Sequence, residues 1–357
     1  MVRRALPFLF LAFGAGCRQI VGIDHVELGD AGDGGTTMEG GAGTPAQVFT
    51  RGNEPIAKIL SDGQYVYALL SASIVRCKVT GCGTTPDPVI PMVAGGIIDD
   101  MAIGARLFYS MEGTTLTLPD GGAPPANDGS IHVADKDGKN DAVFLPGLPA
   151  PTHMALATDL YWFDDQDEIA ADNPVNSLRR CAITGGCGKG TSVIDGLGGF
   201  STSVVADPKS VYVLTGDKAG NNDGVFACAA GSSCGNMPRL AIGSIDSSAF
   251  SSMASDGTYL YFTTDTKGDI LRVDQMNMVK TLVGGQVGPV GIATDGKYVY
   301  WGTSTGAIVR VGIDGGAAQT IASSQAKPNL LTLDAANIYW VVESGAGSAV
   351  MSLPKPP

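Results

Sequence analysis

Six cysteines stand in three close pairs, and paired cysteines can hold a metal ion, carry out thiol redox chemistry or form structural disulfides. The pairs are Cys77 with Cys82, Cys181 with Cys187, and Cys228 with Cys234. Thiol redox motifs and zinc knuckles usually place two residues between their cysteines, whereas four or five residues separate the members of each pair here. The chemistry therefore depends on the elements that position the pairs.

Carboxylates form a second group that could do chemistry, in segments rich in Asp, Asn and Gly. We expect an acidic patch made of Asp164, Asp165, Asp167, Glu168, Asp172, Asp217 and Asp223. Such a patch suits a hard cation such as Ca²⁺, which takes several oxygen ligands, or a basic partner. No stretch follows the EF-hand order, no cofactor is certain, and the competing interpretation is solvated loop tips.

The elements that must position these groups repeat along the chain. DGQYVYALL (62–70) recurs as DGTYLYFTT (256–264) and DGKYVYWGT (295–303), and four looser copies complete the series. The copies are 39 to 53 residues apart, which is typical of propeller blades. Their central aromatic residues are Tyr67, Phe108, Tyr161, Tyr212, Tyr261, Tyr300 and Tyr339.

Within a repeat, β-prone runs separated by Asp-Gly turns predict four antiparallel strands, here named A to D from the inside outwards. The last repeat ends after strand C, whereas QVFT (47–50) precedes the first repeat without a partner. If this N-terminal strand completes the last blade, both open sheet edges disappear. The prediction is an all-β protein, a β-propeller of seven four-stranded blades over residues 46–357, closed by an N-terminal strand.

The YVYW-type signature (298–301) resembles the YWTD and NHL class of β-propellers, and more closely the propeller-like repeats of secreted bacterial lipoproteins. The resemblance covers residues 46–357 and implies architecture rather than activity, because propellers host many unrelated functions. In five repeats an Asp stands five residues before the aromatic, and we interpret it as a turn residue rather than as part of a ring of ligands. These residues are Asp62, Asp207, Asp256, Asp295 and Asp334.

The blade register favours disulfides for the paired cysteines. The first cysteine of each pair takes the strand C position that Val273 and Val311 take elsewhere, and the second falls just past the C–D turn. Opposed positions on a hairpin lie close enough for a disulfide after a modest approach. The rival is a zinc site made from the four cysteines of blades 3 and 4, which leaves the blade 1 pair unexplained.

The N-terminus predicts export. Two arginines precede a short apolar segment, as in a secretory signal (1–16). It ends in Gly14-Ala15-Gly16-Cys17, which resembles the lipobox of bacterial lipoproteins and implies lipidation of Cys17. The Arg after the cysteine implies sorting to the outer membrane. Residues 17–45 are predicted to be a flexible Gly/Asp-rich tether.

The remaining candidates for catalysis are weak. His25, His132 and His153 have no sequence neighbour at metal-ligand spacing; we place His132 in strand C of blade 2 and His153 before a strand. The two G-x-S-x-G matches, at 231–235 and 302–306, fall in β-hairpins rather than in the strand–turn–helix of a nucleophile elbow.

Unequal loops and charge shape the functional prediction. Insertions between strands B and C cluster in blades 2, 3 and 4, on the face opposite the C–D turns. The net charge of −12 argues against nucleic acid and against any membrane contact other than the lipid anchor. We expect a monomeric, lipid-anchored envelope propeller that binds a protein or glycan without catalysis. The alternative is a calcium-dependent, lactonase-like hydrolase or lyase.

Overall fold

The computed structural model describes residues 43–92, 97–113, 128–164, 176–197, 200–216, 224–235, 250–264, 267–345 and 347–357. These residues form 27 β-strands, and none of them is helical. None of the residues so described belongs to a helix that could cross a membrane. The first strand, β1, is Ala46–Thr50.

The other strands follow in seven consecutive antiparallel sheets. Blade 1 comprises β2 (Lys58–Ser61), β3 (Tyr65–Leu69), β4 (Ile74–Lys78) and β5 (Asp87–Ile90). Blade 2 comprises β6 (Ile98–Ile103), β7 (Leu107–Met111), β8 (Gly129–Ala134) and β9 (Ala142–Leu148). Blade 3 comprises β10 (Pro151–Leu156), β11 (Asp159–Asp164), β12 (Asn176–Ala182) and β13 (Thr191–Leu197).

The remaining blades repeat the pattern. The described strands of blade 4 are β14 (Phe200–Ala206), β15 (Ser210–Gly216) and β16 (Gly224–Ala229). Blade 5 comprises β17 (Phe250–Ser255), β18 (Leu260–Thr264), β19 (Ile270–Val273) and β20 (Val279–Val283). Blade 6 comprises β21 (Pro289–Thr294), β22 (Tyr298–Thr303), β23 (Ile308–Gly312) and β24 (Gln319–Ala322). Blade 7 contains β25 (Asn329–Leu333), β26 (Asn337–Ser344) and β27 (Gly347–Pro354).

The ring closes through β1, as the sequence predicts. The order of the blade 7 sheet is β1-β27-β26-β25, so the N-terminal strand is its outermost strand. β1 runs antiparallel to β27, from Ala46 opposite Ser352 to Thr50 opposite Ala349. The innermost strands of neighbouring blades contact each other around the whole ring. The all-β fold is therefore a seven-bladed β-propeller with the predicted closure.

The core lies between blades. One cluster joins Tyr300 and Ile308 of blade 6 to Ile338 and Trp340 of blade 7, and all four side chains are fully buried. Burying one such side chain contributes roughly 2 kcal/mol, so each pair of blades holds together through its sheet faces. This explains why the repeats have aromatic and β-branched residues in strands B and C.

The register divides the disc into two faces. Strand A begins where strand B ends, as Pro151 opposite Asp164 shows in blade 3, and the B–C connections leave from this side. We call it the loop face. The A–B and C–D turns lie on the opposite side, which we call the stapled face because it carries the paired cysteines.

Candidate functional site

All three cysteine pairs form disulfides, which confirms the prediction. The Cα–Cα distances are 5.7 Å for Cys77–Cys82, 5.7 Å for Cys181–Cys187 and 5.9 Å for Cys228–Cys234, within the usual range for a disulfide. The first cysteine of each pair lies opposite the residue just before the strand B aromatic, for example Cys77 opposite Val66. The strand C register that predicted the pairs is therefore correct.

Two of the three loops closed by disulfides also form backbone hydrogen bonds with the outermost strand of the preceding blade. In blade 1, the Cys82 N–H donates to the Val48 carbonyl of β1 and the Thr50 N–H donates to the Gly83 carbonyl, both at 3.0 Å. In blade 4, the Cys234 N–H donates to the Val193 carbonyl of β13 at 2.8 Å. The blade 1 loop thus holds the strand that closes the ring.

The recurring aspartates are turn residues, as interpreted from the sequence. In blade 5 one oxygen of Asp256 accepts the N–H groups of Thr258 and Tyr259, both at 2.8 Å, and the other accepts the Tyr261 hydroxyl at 2.8 Å. The same three bonds recur in blades 1, 6 and 7. Sequence reasoning did not foresee the tyrosine partner, although the fixed spacing of five residues was a usable signal.

These bonds govern ionisation at the turns. Burial opposes ionisation of Asp334, but hydrogen bonds from Tyr339 and from two backbone N–H groups outweigh it, and the pKa of Asp334 is lowered. Burial, with the charge of Asp62, raises the pKa of Tyr67 to about 12. The turn carboxylates are therefore charged acceptors that belong to the fold.

Arginines of strand C extend this network from blade to blade. Arg76, Arg272 and Arg310 stack over the rings of tyrosines in their own blades, 4.1 to 4.3 Å from the ring centres. Each also donates to a backbone carbonyl of the next blade, at 2.6 to 2.8 Å. The stapled face is consequently built from paired charges and inter-blade contacts.

Of the predicted acidic patch, the structure describes Asp164 alone. This residue ends β11, is fully buried, pairs with Arg179 and accepts the Trp162 indole N–H at 2.8 Å. Burial raises the pKa of Asp164 to about 6, against the lowering effects of Arg179 and Trp162. Asp164 therefore anchors the start of its loop within the protein. Asp165, Asp167, Glu168, Asp172, Asp217 and Asp223 lie outside the described residues, as do Cys17 and His25.

A charged cluster joins the inner strands of blades 1, 2 and 3 at the loop face. Lys58 Nζ pairs with Asp100 Oδ1 at 2.7 Å and donates to the Met154 carbonyl at 3.2 Å. The other Asp100 oxygen accepts the Met154 N–H at 2.5 Å. We call Lys58, Asp100 and His153 the channel-mouth cluster, since they lie where the innermost strands begin.

His153 differs from its prediction. It lies inside β10 (Pro151–Leu156) rather than before a strand, at a bulge and with a φ of 47°. The same left-handed conformation recurs at the equivalent bulge positions of blades 6 and 7, Gly291 (φ 59°) and Leu330 (φ 49°), so it belongs to the fold of strand A. The Thr152 hydroxyl lies 3.0 Å from His153 Nδ1. Burial lowers the pKa of His153, against the raising effects of Asp100 and Asp99, so the ring is neutral at pH 7.

The sequence did not reveal this cluster because its three members come from three different repeats, and no local pattern connects them. A signal existed, because the three residues occupy equivalent positions in strand A of their blades. Each stands two residues before the strand A residue that pairs with the strand B aromatic. Across blades 1 to 7 this position is taken by Lys58, Asp100, His153, Ser203, Ser252, Gly291 and Leu330. The charged residues at this position thus lie in blades 1 and 2, and blades 4 to 7 have uncharged residues there.

His132 lies in β8, strand C of blade 2, as predicted. Its ring nitrogens lie 3.2 Å from the Tyr109 and Ser130 hydroxyls, so it belongs to the blade. Within the ranges that the structure describes, no three His, Cys, Asp or Glu side chains are grouped so that they could hold a metal ion.

No protein-family model and no curated protein matches the chain. Among solved structures, YCF48 bound to a D1 peptide has a TM-score of 0.62 at 11% identity, over 87% of this chain and 96% of that one. Streptogramin B lyase has a TM-score of 0.59 at 12% identity, over 87% and 97% of the chains. Oligogalacturonate lyase in complex with manganese has a TM-score of 0.56 at 12% identity, over 85% and 90%.

These similar structures include a peptide-bound protein as well as lyases. At such low sequence identity the likeness extends to architecture alone. The chain shares the β-propeller fold with all three.

Proposed function

We propose that the protein is an exported, lipid-anchored β-propeller that binds an envelope protein or a glycan without catalysing a reaction on it. Cys17 carries the lipid, residues 17–45 form the tether, and the outer membrane holds the anchor. The loop face presents the binding surface, around the channel mouth.

The observation that carries the proposal is how the described carboxylates are used. Asp100 has three partners, Lys58 and the backbone N–H groups of Met101 and Met154. Asp164 is fully buried against Arg179 and Trp162. A catalytic carboxylate or metal ligand must offer an oxygen to something other than the protein, and these groups are committed to the fold.

The disulfides support export. All three pairs are oxidised, and such bonds persist in oxidising compartments but are rare in the cytosol. The solved structure of YCF48 with a D1 peptide supports binding as a use of this fold, although it says nothing about the ligand here.

A calcium-dependent hydrolase or lyase is the second candidate, and His153 favours it. A neutral imidazole beside a carboxylate and an ammonium group can transfer protons. Two of the similar structures are lyases, one of them with manganese.

The anchor is tested by the intact mass of protein extracted from native membranes and alkylated without reduction. We expect a diacyl or triacyl mass on Cys17, no alkyl adduct, and six thiols after reduction. Free thiols with an unmodified Cys17 would contradict export and revive the zinc and redox interpretations.

The effect of calcium on the melting temperature distinguishes the two proposed functions. We expect no calcium-dependent rise in melting temperature. If the parent shows a rise, the variant Asp165→Asn/Asp167→Asn/Glu168→Gln is compared with a control of equal charge change on the stapled face, Asp87→Asn/Asp137→Asn/Asp314→Asn. A rise that only the first variant loses would support the calcium-dependent enzyme. Asp164 is left unchanged because its substitution would disturb the buried pair with Arg179.

A further inference from the structure

We infer that the propeller is held with its stapled face towards the anchoring membrane, and that the loop face with the channel mouth points away from it. The binding partner is then a macromolecule that approaches from the aqueous side rather than a lipid or protein embedded in that membrane. The inference rests on the proposed lipid anchor and adds to it the direction in which the binding surface faces.

The first argument is the direction of β1. Ala46 pairs with Ser352 near the end of β27, and Thr50 pairs with Ala349 near its start. The end of β27 lies beside the start of β26, because Pro354 is opposite Asn337, and the A–B turn of blade 7 precedes Asn337. The chain therefore enters the propeller on the stapled face and runs towards the loop face.

Contacts around this position agree. Gly43 lies next to Leu353 and Pro354. Lys355, the residue after β27, pairs with Asp295 in the A–B turn of blade 6 at 3.4 Å and donates its N–H to the Ala336 carbonyl. Any segment that precedes residue 43 thus joins the propeller at the stapled face.

The second argument is the separation of charge between the faces. On the stapled face several acidic groups pair with basic ones: Asp62 with Lys136, Asp159 with Arg180, Asp295 with Lys355 and Asp314 with Arg272. In contrast, the three B–C segments 114–127, 165–175 and 217–223 hold seven Asp or Glu residues and one Lys. By connectivity these segments begin and end at the loop face.

Anionic lipid headgroups would repel the loop face and leave the matched stapled face largely unaffected. The tether favours the same orientation of the propeller. A Gly-rich chain of this length has a root-mean-square span of about 30 Å. To turn the loop face to the membrane, the tether would have to pass around a disc about 20 Å thick, at a cost in chain entropy.

Two matched labelling positions test the orientation. Thr258 lies in the A–B turn of blade 5 and Thr305 in the B–C turn of blade 6, and both are exposed. The variants Thr258→Cys and Thr305→Cys of the lipidated full chain are extracted from membranes and labelled with a donor dye without reduction. They are then inserted into vesicles that contain anionic lipid and a headgroup acceptor dye, and energy transfer is measured.

We expect transfer from position 258 to exceed transfer from position 305 by at least about twofold, because the two positions lie on opposite sides of a disc about 20 Å thick. Equal transfer, or greater transfer from position 305, would overturn the orientation and leave the anchor standing. Dye attached to Cys17 of the parent protein, which has neither introduced cysteine, would mean that Cys17 is a free thiol. That result would overturn the anchor and the orientation together.

Discussion

Breaking the Cys77–Cys82 disulfide should destabilise the protein more than breaking Cys181–Cys187. We consider the double alanine variants Cys77→Ala/Cys82→Ala and Cys181→Ala/Cys187→Ala. The first cysteine of each pair is equally buried, 1% exposed for Cys77 and 2% for Cys181. Differences between the variants therefore reflect what the loops do rather than lost side-chain burial.

Loop closure alone predicts similar losses of stability for the two double alanine variants. The two disulfides close loops of nearly equal length, and the chain-entropy model assigns each about 2 kcal/mol. The blade 1 loop also exchanges two backbone hydrogen bonds with β1, from Cys82 to Val48 and from Thr50 to Gly83. Each is worth about 1 kcal/mol. We therefore expect a loss of about 3 to 4 kcal/mol for the blade 1 pair and about 2 kcal/mol for the blade 3 pair.

The blade 3 loop is the natural control, because its described backbone hydrogen bonds, Gly185 to Ala182 and Gly190 to Cys187, stay within the loop. The assay is guanidinium denaturation without reductant, with the variants compared at equal m-values. The Cys228→Ala/Cys234→Ala variant should behave like the blade 1 variant, because Cys234 donates to Val193 of blade 3. Equal losses of unfolding free energy for all three variants would refute the idea that the loops of blades 1 and 4 stabilise the contact with the preceding blade.

Two further predictions concern charged groups inside the fold. Burial raises the pKa of Asp164 to about 6, above its unfolded value, so its contribution to stability is lost as pH rises from about 4 to 6. Asp164→Asn should therefore gain roughly 3 kcal/mol relative to the parent between pH 4 and pH 7, and a pH-independent difference would contradict this. Tyr261→Phe removes the hydroxyl that donates to Asp256 and should cost about 2 kcal/mol, measured by denaturation. Tyr212→Phe, whose tyrosine bonds Ser210 instead, should cost about 1 kcal/mol or less, and equal losses would argue against a special role for the carboxylate partner.

The sequence by itself determined the repeat, the register and the closure. Strand and turn signals come from consecutive residues, and a hairpin fixes which residue of strand B opposes which residue of strand C. Aligning the aromatics therefore placed Cys77, Cys181 and Cys228 at one structural position. The unpaired QVFT strand revealed the closure, because an open sheet edge leaves backbone N–H and C=O groups unpaired and available to other chains.

Only the tertiary structure decided which polar groups meet. Lys58, Asp100 and Met154 come from three blades, and Arg272 reaches a carbonyl of the next blade. Such partners lie tens of residues apart, so no local pattern connects them. The burial of Asp164 and the direction in which β1 enters also depend on the whole ring. Desolvation and chain direction follow from all the surrounding blades rather than from the neighbouring residues.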